Sequence, residues 1–447
     1  MNIDQQVNLW DQAQVARSTA NWSLLLECLQ QLIEVKGDRA EVRRGDPSAT
    51  PTTEEQSDML NWAMDILEYG DFDQRWNIAK LFPKLGSSAI AQLIEVVEDE
   101  EADEELRWFS VRILASFDHP YVINFLIELL KSSDEEEKAI ASQALSEIGA
   151  SAVAAITELL ACVDTRLHSV RSLCYIRHSE TITPLLGVVL DPQVEIRAAA
   201  IEALSSFHDP RIAPVLLNAL NDIAADVRRE AVIGLSFRSD LQAEFDLVNR
   251  LLPLLYDFNL NVCQATAIAL GRIGTDKAAE GLFKVLNSAH TPLTLQIEIV
   301  RALGRIGTQT CLEYLRSFLH RATVTVWQEI VTVLGRVEQP QVPLATQILI
   351  SLLQSNDQTI ASSSIKQAIV SLGQLGSTAA IDPLIQLLAD QDPALRLHAI
   401  AALKQIDAEG IYHKLTKMSS DTTLAASLKQ GVAIALQEWI IDVGSRE

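Results

Sequence analysis

The stretch DPQVEIRAAAIEALSSFHDPRIAPVLLNALND, running from Asp191 to Asp222, decides the fold. Asp191 and Pro192 predict a helix start, because an Asp side chain accepts from exposed N–H groups and Pro fits a first turn. Apolar residues then recur at Val194, Ile196, Ala200, Ala203, Leu204 and Phe207, close to the i, i+3, i+4, i+7 spacing of one helical face. His208, Asp209 and Pro210 break that helix and begin a second, whose apolar face is Ile212, Val215, Leu216, Ala219 and Leu220. Two short helices with one apolar stripe each cannot bury those stripes alone. They need copies of themselves on both sides.

The copies are present. The acidic–x–apolar–Arg–x–x–Ala pattern around Ile196 and Arg197 returns at Val227 and Arg228 and again at Leu395 and Arg396. Earlier versions are Gln74-Arg75, Leu106-Arg107, a degenerate Glu137-Lys138, and Thr165-Arg166. Successive anchors up to Arg228 lie roughly 28 to 32 residues apart, inside the range that marks a solenoid. The ends of the first helices repeat as well: LGRIG at 270–274 and 303–307, LGRV at 334–337, LGQLG at 372–376, with Gly86 and Gly149 at the matching earlier places. Gly there predicts a left-handed C-cap that lets the chain reverse into the second helix.

This pattern resembles HEAT repeats and, more narrowly, the short HEAT-like type named for the phycobilisome lyases of cyanobacteria, over about Asp71 to Ser420. The resemblance implies an all-α fold, a right-handed α–α superhelix of the HEAT/armadillo kind with about eleven or twelve helical hairpins. The expected organisation is an N-terminal helical cap (1–36), a linker (37–56), the repeat solenoid (57–420) and a C-terminal capping helix (421–447). The linker carries Pro47, Pro51 and a local basic group, Arg39, Arg43 and Arg44. Second helices are expected to line a concave binding face. Two longer turns, Phe237 to Asn249 and Glu338 to Pro343, interrupt the pattern and read as loops on one edge.

A net charge of −23 disfavours nucleic acid, which needs clustered Lys and Arg, and disfavours anionic membrane surfaces. It suits protein partners with basic patches. No 18-residue apolar run occurs and the N-terminus shows no secretory pattern, so no membrane span and a cytoplasmic location are expected. Cys28, Cys162, Cys174, Cys263 and Cys311 are scattered without ligand-like spacing and read as buried or half-buried free thiols.

Catalytic signatures are lacking: no phosphate loop, no G-x-S-x-G, no H-E-x-x-H, no zinc-spaced Cys/His set, and no catalytic, cofactor or metal residue is assigned. His119, His178 and His208 fall at the turn inside a repeat, where helix capping explains them more simply than metal or acid–base chemistry. The repeated Arg75, Arg107, Arg166, Arg197 and Arg228 predict an Arg–Asp ladder between repeats, with Asp73, Asp191 and Asp226 as partners.

The candidate partner surface lies in the first repeats. Trp76 and Trp108 each follow a repeat Arg, Arg75 and Arg107, one repeat apart. Glu100, Glu101 and Glu104 stand in a dense anionic turn, and Asp134 to Glu137 occupy the matching turn of the next repeat. Exposed Trp marks binding hot spots, whereas packing against the N-terminal cap is the competing reading. The functional expectation is a non-catalytic protein-binding scaffold, an assembly or regulatory factor. From the resemblance, its clients would be phycobiliproteins or other subunits of a photosynthetic complex. The alternative the resemblance implies is a phycobilin lyase/isomerase attaching bilin to phycobiliprotein cysteines.

Overall fold

A computed structural model describes residues 3–42, 53–132, 134–354 and 362–444. The chain divides into two compact units, Met1–His208 and Asp209–Glu447. Every regular element among the described residues is a helix, in an all-α HEAT-type solenoid.

The first unit begins with α1 (Ile3–Ser18), α2 (Trp22–Val42) and α3 (Thr53–Tyr69). Trp62 of α3 is almost wholly buried, with its ring centroid 4.8 Å from that of Trp10, and Leu25, Leu29 and Leu32 of α2 are buried too. Helix α2 runs to Val42 and α3 starts at Thr53, so both margins of the 37–56 stretch are helical. Its centre, with Arg43, Arg44, Pro47 and Pro51, lies outside the described residues. The hairpins follow as α4 (Phe72–Ala79), α5 (Phe82–Leu85), α6 (Ala89–Glu98), α7 (Glu104–Leu114), α8 (Pro120–Leu130), α9 (Glu135–Ile148), α10 (Val153–Leu159), α11 (Val163–Tyr175), α12 (Ile182–Val188) and α13 (Val194–Leu204).

The second unit comprises α14 (Ile212–Ala219), α15 (Ala225–Ser236), α16 (Gln242–Phe245), α17 (Leu247–Leu251), α18 (Leu260–Ile273), α19 (Asp276–Leu286), α20 (Leu293–Ile306) and α21 (Gln309–Phe318). It continues with α22 (Val324–Leu334), α23 (Val342–Gln354), α24 (Ser362–Leu375), α25 (Ile381–Gln386), α26 (Pro393–Ser419) and α27 (Ala426–Gly444). Helix α26 is itself a hairpin in one run, broken where Asp407 turns extended (φ −161°, ψ 90°).

Each hairpin buries the stripe that the sequence pattern marks. Ile196, Ala200 and Leu204 of α13 are fully buried, as are Ile212 and Leu216 of α14. The start of α13 differs from expectation. Its N-cap is Gln193, and Asp191 stands two residues earlier, where its carboxylate accepts from the Gln193 N–H at 2.8 Å. Asp191 thus shapes the turn instead of capping the helix.

Glycines close the first helices in two ways. Gly274 and Gly307 are left-handed C-caps (φ 74° and 65°), as the LGRIG motif predicts. The other glycine of that motif does different work. A Cβ on Gly271 would lie 2.8 Å from Ala302 Cβ and 2.9 Å from Ala302 Cα, so α18 and α20 touch through a missing side chain.

The repeated Arg reaches backward before it reaches forward. Arg166 donates to the carbonyls of Leu160 (2.6 Å) and Ala161 (3.3 Å), which end the preceding second helix. Arg197 donates in the same way to Asp191 and Pro192 (2.8 and 3.2 Å), Arg228 to Asp222 and Ile223 (2.7 and 3.1 Å), and Arg396 to Asp390 and Gln391 (2.7 and 3.2 Å). Such carbonyls are the unsatisfied ends of a helix, and a cation there is favoured by the dipole as well. The forward half of the clasp joins neighbouring repeats: Arg166 to Asp191 at 2.9 Å, Arg228 to Asp257 through two bonds at 2.8 Å, and Arg75 to Asp103 and Glu105 at 3.2 and 2.6 Å. Of the expected partners only Asp191 makes a forward bond of this kind. Asp73 and Asp226 lie in the first turn of their own helices and take no Arg among the described residues; Arg228 takes Asp257, in the turn before α18, and Arg75 takes the N-cap Asp103 and, closer, Glu105.

Where Arg is absent, other residues keep the backward half. Cys263 Sγ donates to the Asp257 carbonyl (3.2 Å), and Gln296 Nε2 to that of Thr291 (3.0 Å). The interruption from Phe237 to Asn249 is not a bare loop. It folds as a 3-10 turn (Ser239–Leu241) followed by α16 and α17, joined at Asp246 in the left-handed region. The 338–343 turn is shorter than a loop and carries a cis Gln339–Pro340 bond before α23.

Candidate functional site

Two neighbouring first helices, α7 and α9, frame a groove of about 150 Å³. Its apolar lining is Trp108 and Val111 of α7, Ile140 of α9, and Val97 and Leu129 from the second helices α6 and α8. Its polar lining is Glu104, Arg107, Asp134, Glu136 and Glu137. Acidic residues collect here because both helices begin here, and carboxylates suit helix N-termini. Asp103 caps α7, accepting from the Leu106 N–H (3.3 Å), and Asp134 caps α9, accepting from Glu136 and Glu137 N–H at 2.7 and 3.1 Å.

The carboxylates are not equally committed. Glu135 meets Lys138 of its own helix at 2.7 Å and His168 of α11 at 3.1 Å; those hydrogen bonds, Lys138 first, hold its carboxyl below the usual range. Glu137 accepts from Ser132 and lies 4.0 Å from Arg107. Glu104 and Glu136 have no ion-pair partner among the described residues, and both are exposed. The Arg107 Nε–H is buried without an acceptor. One cation faces four carboxylates, so the groove is anionic over an aromatic and aliphatic floor.

A second groove of about 230 Å³ lies at the C-terminal end of α7, lined by Trp76, Ala79, Lys80, Pro83, Arg112, Ile113, Ser116 and Glu147. The Arg112 guanidinium lies 4.6 Å from the Trp76 ring and 5.4 Å from the Trp108 ring. Lys80 sits over the other part of Trp76 (5.5 Å), and Phe72 stacks beside it at 6.2 Å. The spacing explains the stack. Trp108 and Arg112 are four residues apart on α7, as are Trp76 and Lys80 on α4, so each pair shares one helix face.

The sequence-predicted residues therefore part company. Trp108, Arg107 and Glu104 line the acidic groove, and Trp76 lines the cationic one. Arg75 is buried and committed to Asp103, Glu105 and the Glu68 carbonyl. Glu100 and Glu101 are exposed in the turn before α7 and line neither groove. Trp76 and Trp108 are both half-buried, and their aromatic and cationic neighbours are Phe72, Phe109, Lys80 and Arg112. Arg112 escaped the sequence reading; its signal was the i+4 step from Trp108.

Elsewhere two of the three turn histidines act as caps: Nδ1 of His119 accepts from the Tyr121 N–H (3.2 Å) and that of His178 from the Glu180 N–H (3.4 Å), whereas α14, after His208, has Arg211 at its N-cap position and no side-chain cap. Cys28, Cys263 and Cys311 are buried and Cys174 is half-buried, whereas Cys162 is exposed at the start of α11, contrary to expectation. Its place at a helix start, beside exposed backbone N–H groups, gives it solvent that a core position would not. Among the described residues no single helix is long and apolar enough to cross a membrane.

The stacked hairpins define an α-helical repeat protein. HEAT repeats match residues 90–165, 153–236, 213–296 and 365–437, more than half of the chain, which therefore belongs to the HEAT-repeat family. No curated protein sequence matches it. Among solved structures it is similar to importin beta at 14% identity, over 95% of this chain and 63% of that one, with a TM-score of 0.51. It is also similar to the CpcE–CpcF complex of phycocyanin lyase from Nostoc sp. (18% identity, 58% of this chain, 94% of that one, TM-score 0.31). A third is human deoxyhypusine hydroxylase (19%, 60% and 99%, TM-score 0.27). The importin beta likeness is one of fold alone, and the two looser ones carry no argument.

Proposed function

We propose that the chain is a non-catalytic protein-binding scaffold that docks a basic segment of its partner in the groove between α7 and α9. The observation that carries this reading is the groove itself, with an indole and aliphatic floor beneath Glu104, Asp134, Glu136 and Glu137. A Lys or Arg side chain fits such a site in both its parts: the methylene stem lies on Trp108, Val111 and Leu129, and the charged head meets the carboxylates. Among the described residues only Glu137 of these carboxylates has an ion partner, so a bound cation relieves repulsion without breaking an existing pair at the other three. Membership of the HEAT-repeat family supports protein binding as the general role. The narrower phycobilisome-lyase repeat type makes phycobiliproteins the first partners to try, on sequence pattern alone.

The test uses defined peptides: an Ala/Gly peptide containing Lys–Ala–Ala–Gln, and the same peptide with Met for Lys, titrated by tryptophan fluorescence. Affinity on the order of millimolar is expected for so small a probe. The Lys peptide should bind more tightly than the Met peptide, lose affinity as salt rises, and lose it again with Glu136→Gln/Glu137→Gln. Equal binding of the two peptides, or binding indifferent to the double substitution, would sink the reading.

A further inference from the structure

The groove beside Trp76 has the opposite character to its neighbour, and the difference comes from Arg112. Its guanidinium is half-buried between two indole rings. Stacking against an aromatic face occupies the planar surface of a guanidinium and leaves its N–H edge free to donate in the plane. None of the described residues accepts from that edge or pairs with that charge. This is unusual company in a chain of net charge −23, where an unpaired cation has carboxylates to choose from. The one carboxylate lining the same groove, Glu147, instead accepts from Gln143 Nε2 at 3.1 Å. Lys80 adds a second positive charge at the groove's other wall.

We infer that the groove of Trp76, Lys80 and Arg112 receives a carboxylate of the same partner segment whose basic residue enters the α7–α9 groove. A carboxylate meets the guanidinium fork through two parallel hydrogen bonds. A phosphate could form the same pair, but its second negative charge would add to the repulsion from Glu147, which lines the same groove. Both grooves border α7, the acidic one along Glu104 to Val111 and the cationic one along Arg112 to Ser116, so one segment lying along α7 presents a basic side chain to the first and an acidic one to the second. Glu104 and Arg112 lie eight residues apart on α7, about 12 Å along its axis, and an extended chain advances about 3.3 Å per residue, which places the two charges about three to four residues apart. The matched segment has the pattern Lys–x–x–Glu or its reverse. This inference rests on the scaffold reading above, and adds to it the polarity of the ligand.

The test extends the peptide pair. An Ala/Gly peptide with Lys–Ala–Ala–Glu, and one with Glu–Ala–Ala–Lys, are titrated beside the Lys–Ala–Ala–Gln peptide. At least one acidic version should bind about fivefold or more tightly than the Gln version. Arg112→Gln should abolish that difference while leaving the Gln peptide's affinity unchanged. Arg112→Lys, which keeps the charge but neither the planar stacking nor the fork, should recover part of it, and circular dichroism checks that both variants fold. If the Gln peptide binds and neither acidic peptide binds better, the acidic groove stands and the carboxylate site is refuted. If the advantage of the acidic peptide survives Arg112→Gln, the site is again refuted. If none of the three peptides binds, both readings fall together.

Discussion

Replacing Gly271 by Ala adds one methyl group and should destabilise the second unit, although Ala is the better helix former. The new Cβ would lie 2.8 Å from Ala302 Cβ and 2.9 Å from Ala302 Cα. Ordinary carbon–carbon contact is about 3.5–4.0 Å, so α18 and α20 must separate locally by roughly 0.6–1 Å. No rotamer change can help, because one of the two atoms struck is backbone. Overpacking of this kind costs about 1–3 kcal/mol, and the helix propensity of Ala returns up to about 1 kcal/mol. A net loss of about 1–2 kcal/mol remains. Gly187 in α12 supplies the control: it is exposed, and nothing stands within 4 Å of the position its Cβ would take. Gly187→Ala should therefore stabilise by about 0.5–1 kcal/mol. Urea unfolding followed by far-UV circular dichroism measures both, each variant being compared with the parent at the transition it shifts. A Gly271→Ala variant as stable as Gly187→Ala would falsify the close approach of these two helices.

Three further outcomes are expected. Arg166→Met leaves Asp191, whose side chain is only 5% exposed, without its cation and should cost about 3 kcal/mol; adding Asp191→Asn should recover part of it, and an additive double-mutant cycle would refute the clasp. Arg228 holds the Asp257 carboxyl below the usual range, so the stability from this pair is complete above about pH 4 and is lost as pH falls through the lowered folded value. Asp257→Asn should flatten the acid limb of a stability–pH curve, and an unchanged slope counts against the pair. With a thiol reagent at neutral pH, Cys162 should react first, because backbone N–H bonding from Asp164 favours its thiolate. Cys174, pushed up to about 12 by burial, should stay silent until unfolding, and a fast phase that survives Cys162→Ser would contradict this assignment.

The repeat was legible because its determinants are local. Periodic Leu, Ile and Ala mark the buried stripes, and Gly274 and Gly307 mark the reversals, each through its own backbone angle. What escaped depends on a neighbouring repeat. Gly271 looks in sequence like any helical glycine; only Ala302, a repeat later, shows why a side chain is excluded. The Arg clasps were foreseen in kind, but Asp257 could not be chosen over Asp226 without knowing how far the guanidinium of Arg228 turns back toward its own carbonyls. The candidate site was half visible. Trp76, Trp108 and the acidic turns stand out by composition, whereas Arg112 becomes notable only when two indoles close on it. Arg75 misled for the same reason: its charge is spent inside the turn.

The repeats are fastened differently along the chain. Arg75, Arg166 and Arg228 grip the next turn through a carboxylate, while Cys263 and Gln296 hold only their own turn, and close contacts at Gly271, Gly304, Gly335 and Gly373 bring the later helices together. This limits how such a chain can grow by duplication. A repeat copied beside itself within either stretch meets a neighbour bearing the matching fastener. The Gln296 repeat, whose turn at 287–292 has no acid, would leave a guanidinium without its carboxylate if it were set after an arginine repeat. Lengthening by tandem copying is therefore open to this architecture, and free exchange of its modules is not.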